Sequence, residues 1–390
     1  MSRSPDIAPS AGVAPEIAFG ADALRWLEGS LEPNRAYWRF VLEEGAGALA
    51  PNLQTRAGLL RVGERIWPVT VNDGGQTNSY PCSLYTQYVR YALAELSLVP
   101  SRWQRCGAWL GLNALGLALS WAQIDRTVQW SSWLLSTNLH DAALAEDALV
   151  ARESLCAQFP DHAILVRNIH GFEDPALPHK LEDAGYELIT SRQIYFFDGK
   201  TADFQQRSDV RRDLKALKTL PGYTVMEHGD FTPADAPRVA ELYRMLYIEK
   251  HSDLNPQYTQ RFVERAIAGR LLEFRGLRHD SGRIDGVFAC FSREHVTSTP
   301  FIGYDTTLSS ELGLYRCLVA MLLKRVAETR TLLNYSSGAG RFKRRRGGIP
   351  AIESNALYTR HLPAHRRAIF EGLRVMVNRF GRAFLEQNEV

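Results

Sequence analysis

The chain has 390 residues, enough for two domains of ordinary size, each with its own core. Hydrophobic residues make up 45% and charged residues 23%, a balance that excludes a disordered or fibrous protein. A net charge of +3 is too small to mark a nucleic-acid binder, so attraction for a polyanion has to come from a local basic patch.

In chain order, Met1 to Pro15 is rich in Ser, Pro and Ala, lacks a basic start followed by an apolar run, and reads as a flexible leader. Ala57 to Val62 and Arg65 to Val71 form a hairpin around Gly63-Glu64, and Pro68 makes the second run an edge strand at best. Tyr80 to Leu96 holds a loop and a helix. Cys106 to Ala122 is too short and too mixed for a membrane span, and Leu112, Leu115 and Leu119 recur at the spacing of a buried helix. A strand-like run, Val128 to Ser136, precedes a helix over Ala142 to Gln158 and an apolar strand over His162 to Ile169. A short helix, Leu177 to Ala184, ends at Gly185, and Tyr186 to Phe197 is a closing strand.

The second half is easier to read. Tyr223 to His228 is a strand, and Asp235 caps an amphipathic helix over Ala236 to Lys250. Asn255-Pro256 breaks the chain before a helix over Gln257 to Ala268. Three strands follow, Leu271 to Arg278, Arg283 to Ser292 and Thr297 to Thr306, the last with an irregular start at Pro300. A long helix from Gly313 to Thr329 carries one apolar face. Then come a strand at Thr331 to Tyr335, a short basic helix or loop at Arg341 to Arg346, a strand at Ala351 to Tyr358 and a basic helical tail. In that tail Ile369, Leu373, Val377 and Phe380 share one side. The order β-α-α-β-β-β-α-β-α-β requires a mixed sheet of the α/β (α+β) kind. Strand, helix, strand, helix, strand from Val128 to Phe197 repeats the end of this order. The chain therefore divides into the leader, a degenerate N-terminal copy over 16–198 and a C-terminal copy over 207–390.

Five cysteines (Cys82, Cys106, Cys156, Cys290, Cys317), an odd number with no close pair, fit reduced thiols in a cytoplasmic protein. Cys82 has no local base and is not expected to be a nucleophile. His361 and His365 have the spacing of a metal pair, but Pro363 lies between them and no acidic or Cys partner is near, so no metal site is expected. Aromatic and small polar residues mix in Asn78 to Tyr85 and in Trp130-Ser131-Ser132-Trp133, which reads as core aromatics and a loop or as the lining of a cleft.

The richest segment is Asn334 to Gly348. A strand end, small residues and a basic helix start expose main-chain N–H groups beside positive charge, which suits an anion; a solvated basic turn is the plainer reading. Ser337, Gly338, Gly340 and Arg344 are the residues that would hold such a donor phosphate. Gly338 to Lys343 reads Gly-x-x-x-Phe-Lys with a Gly pair beyond. That pattern and the element order resemble Fem-type peptidyltransferases and related GNAT-like acyltransferases. The resemblance implies two tandem GNAT-like domains, an acyltransferase, and Lys343 in the active site, near the donor phosphate or stabilising an oxyanion.

Thr306 to Arg316 lies where GNAT enzymes cradle the coenzyme A pyrophosphate. Here Ser310 stands at the first signature position, Gly313 keeps the middle glycine and Tyr315 stands at the last. Ser309 and Ser310 either cap the helix or bind the donor. Asp305 either positions the acceptor amine as a base or caps the following turn. Tyr315 and Tyr335 are proton donors to the leaving group or packing residues. Tyr247, His251, Asn255 and Tyr304 are the acceptor-side candidates, against simple loop polarity. The resemblance implies a small-molecule amine as acceptor. The donor is an acyl-CoA or carrier thioester, or aminoacyl-tRNA, with no permanently bound cofactor and no membrane partner. A non-catalytic ligand- or RNA-binding protein of the same fold is the remaining reading.

Overall fold

The computed structural model describes residues 15–75, 77–99, 101–382 and 385; the leader expected before Pro15 lies outside them. The N-terminal half runs β1 (Glu16–Phe19), α1 (Gly20–Glu28), α2 (Arg35–Glu44), α3 (Ala46–Leu49), β2 (Arg56–Val62) and β3 (Arg65–Asp73). It continues through α4 (Tyr91–Glu95), α5 (Arg102–Trp121), β4 (Arg126–Trp130), α6 (Leu144–Gln158), β5 (Ala163–Ile169), α7 (Leu177–Asp183) and β6 (Glu187–Asp198). A helix that the sequence pattern did not reveal, α8 (Ser208–Lys218), opens the second half. It is followed by β7 (Tyr223–Met226), α9 (Ala236–Tyr243), α10 (Gln260–Ala268), β8 (Glu273–His279), β9 (Ile284–Arg293) and β10 (Val296–Tyr304). The chain ends with α11 (Leu314–Thr329), β11 (Leu332–Asn334), α12 (Gly340–Arg345), β12 (Ile349–Tyr358) and α13 (Ala364–Met376).

Among the described residues twelve strands form one mixed sheet, in the order β1-β2-β3-β4-β5-β12-β6-β11-β10-β9-β8-β7. From either edge, the first four strands of a half are antiparallel and the fourth pairs in parallel with the fifth, β4 with β5 and β10 with β11. The two halves thus repeat one topology. The sixth strand of each half crosses to the other: β12 lies against β5, and β6 lies against β11. The exchanged strands then pair with each other from Ile349–Phe196 to Leu357–Glu187. Neither half completes its sheet without a strand from the other. All seven residues of β5 are buried, as the continuous apolar run of an interior strand demands.

Four local expectations fail for identifiable reasons. Pro68 sits in an interior strand, since β3 pairs with both β2 and β4. Its carbonyl, and so its nitrogen, faces β4, whose paired residues begin at Val69; only the main-chain N–H of Ser132 reaches back to the Pro68 oxygen, at 3.1 Å. The missing donor therefore removes no ladder bond. β4 stops at Trp130 instead of running to Ser136, because Ser131 and Leu134 take positive φ of 52° and 57° and turn the chain. Asp235 does not cap α9; its carboxylate accepts from Thr232 N–H and Oγ1 and caps the short turn before it. α5 is a surface helix and not a buried one. It is inserted between β3 and β4, outside the sheet layers, and only Gly116 and Leu119 of its twenty residues are buried. A Cβ at Gly116 would lie 2.8 Å from the Tyr85 hydroxyl, so the helix reaches the body through that glycine. In the tail, Leu373 is buried but Phe380 is exposed.

Candidate active site

The site grows from the point where β10 and β11 part. Their parallel pairing covers only Val296–Leu332 to Ser298–Asn334; a register shift between Ser298 and Phe301, at Pro300, then carries β10 away. Gly303 makes this course possible, since a Cβ there would meet the Leu242 carbonyl carbon at 2.4 Å, so α9 packs directly on the strand. Tyr304 ends β10 and Tyr335 follows β11. Between them Tyr315, in the first turn of α11, has its hydroxyl 3.3 Å from that of Tyr335 and its ring 6.1 Å from Tyr304 and 5.2 Å from Phe342. Burial raises both phenols, Tyr315 and Tyr335, above the usual tyrosine range, so each is a protonated donor at neutral pH.

The loop after β11 is conformationally strained. Ser336, Gly338 and Ala339 all have positive φ, at 55°, 78° and 52°. Lys343 holds it: the buried ammonium donates to the carbonyls of Tyr335 (2.7 Å), Ser336 (3.2 Å) and Ser337 (2.8 Å). Burial, and then the charge of Arg192, push this lysine well below its usual range. The basic run is not a solvated turn. Lys343 and Arg346 are buried, Arg346 bonds Asp213 of α8 at 2.8 and 2.5 Å, Arg345 pairs with Asp209 at 2.8 Å, and Arg344 reaches Gln193 at 3.4 Å.

Outside this loop lies an open pocket of about 900 Å³, walled by Gly338 to Phe342, by Arg212 of α8 and by Arg316 in the first turn of α11. Gly313, at φ 65°, starts that helix and Ser309 accepts from Glu311 N–H in the turn before it. Arg212 and Arg345 share Asp209, whereas Arg341 is exposed. The pocket thus combines a glycine-bearing main chain, a helix N-terminus and guanidinium groups, the elements that hold phosphate.

Residues 205–344 match the acetyltransferase (GNAT) domain family. The chain carries a GNAT acyltransferase domain. No curated protein matches the sequence. Among solved structures, FemX is 7% identical, with 87% of this chain and 96% of that one covered at a TM-score of 0.49. A tandem GNAT protein from the clavulanic acid biosynthesis pathway is 11% identical, covering 90% and 99% at 0.37. L-PGS from Bacillus licheniformis is 17% identical, covering 58% and 77% at 0.43. These likenesses concern the course of the chain and carry nothing about substrates.

Across the tyrosines from its phosphate-type pocket, the GNAT domain meets the N-terminal half in a polar cluster. The Asn255 side chain donates to the Tyr247 carbonyl at 3.1 Å and accepts from Tyr91 at 2.9 Å; the Tyr91 ring is 5.5 Å from Tyr80. Tyr304 accepts from Lys250 at 2.8 Å, and His251 stands 6.1 Å from Tyr247, ring to ring. At the seam of the exchanged strands, Arg192 of β6 bonds the fully buried Glu353 of β12 at 2.8 Å, and Asn168 of β5 bonds the same carboxylate at 2.9 Å. Burial opposes the charge of Arg192, but Glu353 outweighs it and raises its pKa. Arg167 lies behind Tyr80, its guanidinium 5.5 Å from that ring, 3% exposed, with Nε and Nη1 unbonded.

The structure therefore gathers Tyr247, Asn255, Tyr304, Tyr315, Tyr335 and Lys343 around one centre and puts Gly338 and Gly340 in the adjoining pocket. Ser337 offers its carbonyl to Lys343. Ser309 and Ser310 form the turn leading into α11, outside that pocket's lining, and Arg344 faces a second cavity, of about 600 Å³, with His170 and Gln193. Asp305 is turned aside: burial would raise its carboxyl, but Thr307 and Arg238, the latter at 2.6 Å, outweigh that and hold it below the usual range. Cys82 is buried with its thiol pushed up to about 12. His361 stacks on Tyr358 and His365 packs on Trp121; among the described residues no group of three or more His, Cys, Asp or Glu is placed to hold a metal. Trp130 and Trp133 are core residues. Arg192, Glu353 and Arg167 escaped the sequence reading, because only the strand exchange brings β5, β6 and β12 together.

Proposed function

We propose that this protein transfers an acyl group from a phosphate-bearing thioester, an acyl-CoA or acyl-carrier thioester, to the amine of a small molecule. The observation that carries this reading is the arginine- and glycine-walled pocket on the loop after β11, whose Phe342 packs on Tyr315 beside the parted strands β10 and β11. The donor phosphate lies against Arg316, Arg341 and the Gly338–Gly340 main chain, and its acyl arm enters between Tyr304 and Tyr335. The acceptor lies among Tyr80, Tyr91, Tyr247, His251 and Asn255, where the Arg167 guanidinium behind Tyr80 favours an acceptor that also carries an anionic group. The amine nitrogen attacks the carbonyl, the N–C bond forms and the C–S bond breaks. The Tyr315–Tyr335 pair protonates the departing thiolate and regains a proton from the amine through water. Lys343 acts as a positioning residue that fixes the Tyr335–Ser337 main chain, and Asp305 orders the turn leading to α11.

A second reading, aminoacyl-tRNA as donor, draws on α8 and the Arg207 before it, where Arg207, Arg211, Arg212, Lys215 and Lys218 are all exposed. Melting of the full chain with coenzyme A, acetyl-CoA and bulk charged tRNA separates the readings. A rise with coenzyme A that Arg316→Ala and Arg341→Ala each weaken about tenfold or more in affinity supports the first. A response to charged tRNA alone selects the second. No response to either refutes a phosphate-borne donor at this pocket.

A further inference from the structure

Helix α5 carries Trp103, Gly107, Leu110, Ala114, Leu117 and Trp121 at alternating spacings of four and three, and all six are exposed. Trp103 is 88% exposed, Leu117 75% and Trp121 66%, and Trp109 adds a third exposed indole on the flank. Large apolar side chains left in water forgo the gain of burial, so a continuous row of them marks a docking face. The row is about 27 Å long at a helical rise of 1.5 Å per residue.

Charge identifies the occupant. From Arg102 to Ile124 there is no Asp or Glu, and the charged residues are Arg102 and Arg105. α13 packs against α5, with the His365 ring 4.8 Å from Trp121; its end exposes Val375 and Met376, and the turn beyond exposes Phe380 beside the exposed Arg379. The one carboxylate of α13, Glu371, is neutralised by Arg374 at 2.5 Å. A second copy of α5 laid on the first in either direction offers no carboxylate to these arginines. A bilayer with anionic headgroups offers both an apolar layer and the opposite charge, and tryptophan side chains settle at that boundary. No described helix is long and apolar enough to cross a membrane, so the contact is one of lying on the surface.

We propose that α5, with the exposed end of α13, docks this protein on an anionic bilayer surface. This inference stands apart from the choice of acyl donor and differs from the expectation of no membrane partner. The test is co-sedimentation of the full chain with large vesicles of phosphatidylcholine alone or with 30% phosphatidylglycerol. Binding to the anionic vesicles is expected, weakened by 0.5 M salt, and reduced at least tenfold in Trp103→Ser/Leu117→Ser. Both substituted side chains point into water, so the variant keeps the parent melting temperature. Absence of binding to either vesicle overturns the proposal. So does a dimer by light scattering that this double variant converts to monomer, since the face would then belong to a second copy.

Discussion

Removing the Glu353 carboxylate tests the strand exchange directly. Glu353 is fully buried on β12 and accepts from Arg192 of β6 at 2.8 and 3.3 Å and from Asn168 of β5 at 2.9 Å. Arg192 in turn donates to the Ser136 carbonyl at 2.6 Å and to Thr137 Oγ1 at 3.0 Å, so one ion pair ties three neighbouring strands to the β4–α6 connection. Glu353→Ala leaves the half-buried Arg192 without its carboxylate, with Arg167 and Lys343 as further cations nearby. Breaking one side of such a pair costs about 3–5 kcal/mol. Arg192→Met alone costs a similar amount, because it strands the carboxylate. The double variant removes both charges and should lose less than the sum of the two, with a coupling of about 2–3 kcal/mol. Urea unfolding at pH 7.5 gives each value from the midpoint and slope. Losses that add to within about 0.5 kcal/mol would refute the reasoning, since they would mean that the two side chains do not interact across the seam.

Two further outcomes follow from single positions. His140 accepts from Ser131 at Nδ1 and donates from Nε2 to the Arg167 carbonyl at 2.6 Å, a neutral tautomer, and burial lowers it from 6.5 to about 4. Its contribution is complete above pH 6.5 and is lost as the pH falls toward 4, about 3 kcal/mol in all; the melting temperature of His140→Gln should decline less than that of the parent over this window, and parallel declines would contradict the assignment. Gly303→Ala should destabilise by about 1–3 kcal/mol or more and lower acyl transfer together with it, since the new methyl meets the Leu242 and Tyr243 main chain at 2.4–2.5 Å; an unchanged urea midpoint would show that α9 yields.

After α8 the C-terminal half is legible in the sequence, because α9 buries one regular face, β9, β10 and α11 are nearly continuous buried runs, and these elements end at recognisable turn residues. The helices α1, α2 and α8 were not read. α8 in particular is so rich in Arg and Lys that its buried Asp209, Val210 and Asp213 leave little apolar signal. The same excess of charge concealed the fate of Lys343 to Arg346. Four basic residues in a row look solvated, and only the carboxylates of α8 and the carbonyls after β11 show that two of them turn inward. α5 misled in the opposite sense. Its leucines and tryptophans have core spacing, and sequence alone cannot say whether the layer that covers them is protein.

The exchanged strands also explain why a site built from such distant segments can be rigid. Tyr335 and Lys343 follow β11, which is held by β6 of the other half, with the main-chain N–H of Tyr335 bonding the Tyr195 carbonyl at 2.9 Å. Lys343 lies 5.5 Å from the Tyr195 ring and 4.5 Å from that of Tyr335. The N-terminal half thus supplies the strand against which the loop of the GNAT domain is set, besides Tyr80, Tyr91 and Arg192 in the adjoining polar cluster. A C-terminal half expressed alone would lack β6, leaving β11 unpaired on one side and Lys343 without its neighbouring wall. The N-terminal copy is therefore part of the candidate site by construction, even though the phosphate-type pocket lies almost wholly in the C-terminal half.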